Sequence, residues 1–331
     1  MKKKILIGTI IFLSVLGIVY GLGPKIDPPK YSLQLPEITN NLDSLEQFIV
    51  LREKSLPIKK DNESRIIWAN DSLKTQTEWV LLYIHGFSAS YYEGANVNIE
   101  FAKHFQCNAY FPRLATHGLE TTDPLINMAP DSLWESAKEA LVIAHKLGKK
   151  VMLMSTSTGG TLSLKLAAEY PGLVDGLILY SPNIKINAPT TLLTKPWGLH
   201  IARIIFGGKY RTVNDDFNSV ECNYWYCKYR LEAVVFLEQL VSTTMTKETF
   251  QKVKCPVFLG YYYKDEKHQD QVVKVDAMLT MFDQLGTPSN QKVQKAFPNS
   301  GVHVIANSQF SKEVDLVQKE TFQFAKEIMK K

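Results

Sequence analysis

Short apolar runs alternate with amphipathic stretches along most of the chain, and that rhythm predicts strands and helices in turn. Residues 65–69 and 79–84 read as strands, 92–105 as a helix and 108–111 as a strand. Residues 131–147 read as a helix with marked ends. Ser132 and Glu135 have the spacing of a capping box, Leu133, Ala137, Leu141 and Ala144 recur on one face, and Gly148 stops it. A wholly apolar strand at 151–154 precedes a helix rich in Leu and Ala at 161–170. Further strands are expected at 177–180, 257–263 and 292–297, with helices at 272–285 and 312–330. Strands without polar alternation, separated by helices, belong to a parallel sheet covered on both faces. The predicted fold class is therefore α/β, with a doubly wound, mostly parallel sheet.

Two segments break the rhythm. Residues 183–253 hold Pro196, Gly198, Gly207 and Gly208 with several helical patterns and no strand. They read as a helical lid insertion over the carboxyl edge of the sheet, where such sheets bind ligands. Residues 24–40 carry Pro24, Pro28, Pro29 and Pro36 and read as an extended linker, followed by helical spacing at 42–51. The expected organisation is a membrane anchor or signal segment at 1–23, a linker and N-terminal extension at 24–60, and an α/β domain at 61–331.

The first segment decides location. Lys2, Lys3 and Lys4 precede residues 5–23, nineteen positions without a charge, and Pro24 ends the run. A helix of that length is roughly 28 Å long, close to the hydrocarbon thickness of a bilayer at ~30 Å. Lysines on its N-terminal side favour the cytoplasm and leave the rest of the chain outside. A signal peptide cleaved on export is the alternative, which would give a secreted protein. No A-x-A-like site is present, and no Cys follows the run for lipid attachment.

Composition adds exclusions. The chain is 45% apolar and 21% charged, which suits a packed core. Its net charge of +5 includes the three N-terminal lysines, so the remainder is nearly balanced and nucleic acid is not expected as a partner. Four cysteines are too few for a disulfide scaffold, although Cys222 and Cys227 could pair in an exported domain or stay as free thiols. Neither a C-x-x-C nor a Cys/His metal spacing occurs, so no metal and no cofactor are expected.

Candidate chemistry centres on residues 151–160, VMLMSTSTGG, where an apolar strand runs into a helix of small residues. A hydroxyl nucleophile on a tight strand-to-helix turn needs small residues two before and two after it. Ser157 has Ser155 and Gly159 there, giving S-x-S-x-G in place of G-x-S-x-G. Acyl transfer also needs two fixed N–H donors for the substrate oxygen. Thr158, after the nucleophile, and Phe87, in the His85-Gly86-Phe87 turn after strand 79–84, are the candidates. A histidine must relay the proton, and His303, between the last strand and the last helix, is the one placed for it. His104, His145, His200 and His268 read as packing or surface residues. The acid that orients the imidazole should follow the strand at 257–263. Asp270, ahead of Gln-Val-Val-Lys-Val and a helix, is preferred, with Asp265 as the alternative.

In combination these motifs resemble the α/β-hydrolase superfamily, and within it the carboxylesterase, monoglyceride lipase and lysophospholipase branch. The stretch 110–118, YFPRLATHG, is similar to that branch's P-R-L-x-G-H-G with Thr116 in place of Gly, and LILYSPN at 177–183 and the DQVV run at 270–273 also match. The resemblance covers the chain from about Arg65 onward. It implies an α/β-hydrolase fold, a triad of Ser157, Asp270 and His303, an oxyanion hole from Phe87 and Thr158, and a structural place for His117. It also implies ester hydrolysis through an acyl-enzyme. The greasy stretches at 192–206 and 224–229 suggest an apolar, lipid-like ester as substrate. The competing functions are a non-catalytic binding protein on the same scaffold and an acyltransferase that uses an alcohol in place of water.

Overall fold

The run from Val151 to Met154 offers water no polar side chain, so it belongs where both faces of a sheet are covered. In the computed structural model, which describes residues 2–330, this run lies inside a seven-stranded sheet, fully buried. After helix α1 (Lys2–Gly21) and α2 (Leu42–Lys54) come β1 (Arg65–Ile67), β2 (Thr77–Ile84), α3 (Val97–His104), β3 (Asn108–Phe111) and α4 (Pro130–Leu147). Then follow β4 (Gly148–Thr156), α5 (Thr158–Glu169), β5 (Gly176–Tyr180), α6 (Gly198–Ile205), β6 (Tyr210–Thr212), α7 (Val220–Tyr224) and β7 (Lys228–Arg230). The chain closes with α8 (Leu231–Thr244), α9 (Lys247–Lys252), β8 (Val257–Tyr261), β9 (Tyr263–Asp265), β10 (His268–Gln269), α10 (Val275–Gln284), β11 (Lys292–Ala296) and α11 (Val314–Met329).

The sheet order is β1-β3-β2-β4-β5-β8-β11. Only β1 runs antiparallel to its neighbour, β3; the other pairs are parallel. Side chains alternate across a strand, so one strand feeds two cores. Val80, Leu82 and Ile84 of β2 pack with α4, α5 and α8, while Trp79, Leu81 and Tyr83 pack with α3 and α11. Because β2, β4, β5, β8 and β11 are parallel, the connections that leave their carboxyl ends meet at one edge, and every candidate site residue lies in those connections or, as Thr158 does, at the start of the helix that follows.

Several boundaries differ from the sequence reading, each for a local reason. Residues 92–105 are not one helix. Tyr91–Gly94 form a 3₁₀ turn, and α3 begins only at Val97. Side-chain amides of Asn98 and Asn307 donate to the Tyr91 and Tyr92 carbonyls at 2.9 and 2.7 Å, in competition with helical bonds. Ser132 and Glu135 do not form the expected capping box. The N-cap of α4 is Ala129, whose N–H donates to Ser132 Oγ at 3.2 Å, and Glu135 pairs with Lys138 at 2.9 Å. Residues 183–253 contain a strand pair after all, the antiparallel β6 and β7. These strands are three residues long and carry Arg and Lys, so no apolar run announces them. Cys222 and Cys227 form a disulfide in the same segment.

The residues before α2 are extended, as their prolines predict, but they are bonded along the domain. Gln239 Nε2 donates to Asp27 O at 2.7 Å, and Asp131 Oδ1 accepts from Lys30 N and Tyr31 N at 2.9 and 2.7 Å. Trp134 Nε1, Tyr170 Oη and Lys138 Nζ then donate to the carbonyls of Ser32, Leu33 and Gln34 at 2.7, 2.7 and 2.6 Å. Helix α1 is different: none of its residues is buried, and its large apolar side chains from Ile5 to Tyr20 are about half exposed or more. Burying each such side chain is worth roughly 2 kcal/mol, so this helix is not a core element, and its length and composition suit a membrane anchor or a signal segment alike.

Candidate active site

Ser157 occupies the turn between β4 and α5 with φ 54° and ψ −121°. For a residue with a side chain this backbone is strained, by about 1–3 kcal/mol, and it persists only where surrounding bonds impose it. Three bonds do so. Ser157 N donates to Tyr180 O at 3.0 Å, and Ser157 O accepts from Gly160 N and Asn183 N, both at 2.8 Å. The turn also brings α5 hard against the end of β2. A Cβ on Gly159 would lie 2.0 Å from the Ile84 carbonyl oxygen, so only glycine fits there. Two positions before the nucleophile, where glycine is usual, Ser155 is fully buried and its hydroxyl has no hydrogen-bond partner among the described residues.

His303 sits on the loop between β11 and α11. Its Nδ1 lies 2.6 Å from Asp270 Oδ2, and its Nε2 is buried without a hydrogen-bond partner among the described residues. Asp270 follows β10 and is 1% exposed. Its other oxygen accepts from Val272 N and Val273 N at 2.8 and 3.1 Å. Those bonds explain why α10 begins at Val275 and not at 272 as its apolar pattern suggested. Burial works to raise the Asp270 pKa. The His303 charge and hydrogen bond, with the two amides, outweigh it and hold the carboxyl below its usual range. For His303 burial works downward, and the charge and hydrogen bond of Asp270, with a smaller contribution from Glu93, raise it above the ordinary imidazole value.

Asp265 is elsewhere. It ends β9, is half exposed, and bonds at 2.8 Å to His268, which is itself exposed. The remaining histidines do structural work or lie on the surface. His85 Nδ1 meets Gly86 O at 2.9 Å and its Nε2 accepts from Leu114 N at 3.1 Å, so the ring pins the turn after β2. His117 Nδ1 meets Ala115 O at 2.9 Å, its ring is edge-on to His85 at 5.1 Å, and burial lowers its pKa to about 4. Arg113 binds Glu53 through Nε and Nη2 at 2.8 and 3.2 Å and donates to His117 O at 2.9 Å, tying the 110–118 stretch to α2. His145 bonds to the Leu173 carbonyl at 2.8 Å, and His104 packs on Phe105 and Phe322.

Ser157, Thr158, Phe87 and His303 share a cavity of about 490 Å³. The amides of Phe87 and Thr158 take part in no hydrogen bond among the described residues. Residues 183–253 supply much of the wall, including Thr190, Val213, Trp225, Tyr229, Val234 and Leu237, and the lining is mainly apolar. Val272, Val302, Val304 and Phe310 add to it.

One member of this wall escaped the sequence reading. Glu93 is 2% exposed, accepts from Gly86 N at 2.5 Å, and lines the cavity beside Ser157 and His303. Burial raises its pKa to about 7, against the opposing pull of the Gly86 amide, the His303 charge and Trp225. The only sequence signal was a charge inside a stretch read as an amphipathic helix, where exposure is the default.

The sequence matches the family described as serine aminopeptidase, S33 (Hydrolase_4), over residues 134–305, just over half of the chain. It has no match among curated proteins. Similar solved structures include one from the pair LipS and LipT, two metagenome-derived lipolytic enzymes, at 16% identity and TM-score 0.62, covering 83% of this chain and 100% of that one. The monoacylglycerol lipase of Paleococcus ferrophilus is 14% identical with TM-score 0.56, covering 79% of this chain and 96% of its own. Est1E of Butyrivibrio proteoclasticus, solved with ferulic acid bound, is 15% identical with TM-score 0.54, covering 81% and 96%. At these identities the likeness is one of fold.

Proposed function

The chain belongs to the Hydrolase_4 family of α/β-hydrolases (serine aminopeptidase, S33), and from that premise we propose that it hydrolyses carboxylic esters through an acyl-enzyme on Ser157. The observation that carries the reading is the buried Asp270–His303 pair facing the same cavity as a serine on a strained strand-to-helix turn. Ser157 Oγ attacks the acyl carbon as its proton passes to His303 Nε2, and the carbonyl electron pair moves to oxygen. The Phe87 and Thr158 amides hold that oxyanion; losing one such donor costs roughly 3–4 kcal/mol of transition-state stabilisation. The tetrahedral species collapses, the bond to the leaving alkoxide breaks, and His303 returns the proton to it. Water then repeats the cycle and frees Ser157. Asp270 keeps the imidazole in the tautomer that leaves Nε2 free to accept and stabilises its charged form.

The apolar wall supplied by residues 183–253 supports a lid over the site and an apolar acyl group or lipid-like ester as substrate. Helix α1 serves as a membrane anchor, with the catalytic domain on the extracytoplasmic side. The disulfide between Cys222 and Cys227 supports that side, because such bonds persist in oxidising compartments. A fluorophosphonate probe tests the chemistry. The folded protein should be labelled, and Ser157→Ala should abolish both labelling and p-nitrophenyl ester turnover. A folded protein that takes no label is a binder on this scaffold, and product analysis with added glycerol separates hydrolysis from acyl transfer.

A further inference from the structure

The catalytic scheme leaves one buried acid of the cavity without a task. Glu93 belongs to the 3₁₀ turn Tyr91–Gly94, and that turn is stitched to the loop that carries His303. Asn307 Nδ2 donates to Tyr92 O at 2.7 Å, and Ser308 N donates to Ala95 O at 2.7 Å. On its other side the Glu93 carboxylate takes the N–H of Gly86, the residue before Phe87, at 2.5 Å. The close approach depends on Gly86 having no side chain. A Cβ there would lie 2.7 Å from Glu93 Oε1 and 2.9 Å from Ser157 Cβ, so carboxylate and nucleophile flank one bare backbone position.

We propose that Glu93 is a positioning residue for this reaction: it steadies the turn bearing the Phe87 amide and lends His303 a second negative charge besides that of Asp270. This rests on the hydrolase reading above. A buried carboxylate is disfavoured unless a donor or a cation answers it. Here the donor is the Gly86 amide, and the cation is His303 once it has taken the serine proton. The groups that face Glu93 are few. Tyr83 of β2 is held neutral by burial and bonds to Thr156 at 3.0 Å, His303 comes from its loop, and Trp225 comes from the insertion. Arg211 and Glu221 line the same cavity from the insertion. Asp270 and, where it is ionised, Glu93 both raise the His303 pKa, so removing the charge of Glu93 lowers it, most at pH above about 7, where burial leaves Glu93 mostly ionised.

Glu93→Gln separates the two roles, since its amide oxygen can still accept from Gly86 N while the charge is gone. For p-nitrophenyl ester hydrolysis we expect kcat to fall about tenfold with KM within twofold, and the acid limb of kcat/KM to move to lower pH. The thermal midpoint should stay at that of the wild type, and Glu93→Asp should return the limb towards its original position. A Glu93→Gln enzyme with wild-type kcat and an unmoved limb overturns the proposal. If Glu93→Gln does not fold, Glu93→Asp against Glu93→Asn makes the same charge comparison one bond shorter, and equal pH profiles there overturn it as well. Ser157→Ala is run alongside. Retained turnover in that variant refutes the hydrolase reading itself, whereas lost turnover with an inert Glu93→Gln refutes only the role of Glu93.

Discussion

Replacing Asp270 with Asn puts the proposed triad to its sharpest test. The carboxylate is buried, lies 2.6 Å from His303 Nδ1, and anchors two amides through its other oxygen. Asn can keep the two amide bonds, because its oxygen still accepts, so the fold should survive. What it presents to the imidazole is then an NH₂ group. Nδ1 must accept, the ring proton moves to Nε2, and the base points its proton at Ser157. The imidazolium formed in the transition state also loses its buried partner. Breaking such a pair costs about 3–5 kcal/mol, and at 1.36 kcal/mol per tenfold this means a loss in kcat/KM of roughly 10²–10⁴. The pH dependence has a definite sign. Asp270 raises the His303 pKa, so in Asp270→Asn the acid limb of kcat/KM moves to lower pH even as the plateau drops. Stability follows the same pair. The lowered Asp270 contributes above the ordinary carboxylate range and loses that contribution as pH falls through its folded value. The raised His303 contributes below the ordinary imidazole pKa and loses it as pH rises through its folded value. Asp265→Asn is the control, and with an exposed partner it should stay within about twofold. Steady-state hydrolysis of a p-nitrophenyl ester, with circular dichroism as the folding check, decides the matter. An Asp265→Asn loss larger than that of Asp270→Asn, or an Asp270→Asn enzyme within tenfold of wild type, would refute the reasoning.

Two other outcomes can be checked directly. Thiol titration of the unreduced, denatured protein should count Cys107 and Cys255 only, and four thiols should appear after reduction; four at the outset would contradict the disulfide. In the native state even those two should react slowly, since burial pushes both pKa values up to about 12. The full-length chain should sediment with membranes and resist carbonate extraction, while a chain starting at Lys30 should be soluble and retain the bonds of Lys30 and Tyr31 to Asp131. A shortened soluble product from the intact gene would show cleavage in place of anchoring.

The sheet was legible because its central strands are fully buried, and a strand such as 151–154 has one place it can go. The serine turn was legible because the small residues around it leave a tight strand-to-helix turn few other uses. Short polar strands such as β6 and β7 were not, since their pairing comes from backbone bonds that leave no apolar pattern. The 3₁₀ turn at Tyr91–Gly94 was hidden for a different reason: the amide groups that hold it come from Asn98 and Asn307, the latter more than two hundred positions away. Glu93 was hidden with it. Asp270 and Asp265 follow the same strand and part only in space, where Asp270 turns inward to His303 and Asp265 faces solvent with His268.

The stitched stretch from Asp27 to Gln34 changes what kind of attachment α1 can provide. A free tether of that length would let the domain swivel and drift from its anchor. Bonded as it is, the chain has only the few residues between Gly21 and Asp27 as slack, at most about 20 Å when fully drawn out. Even that slack is checked midway, where Trp197 N donates to Pro24 O at 3.2 Å. With α1 in a bilayer, as proposed, this short reach keeps the domain close to the lipid surface.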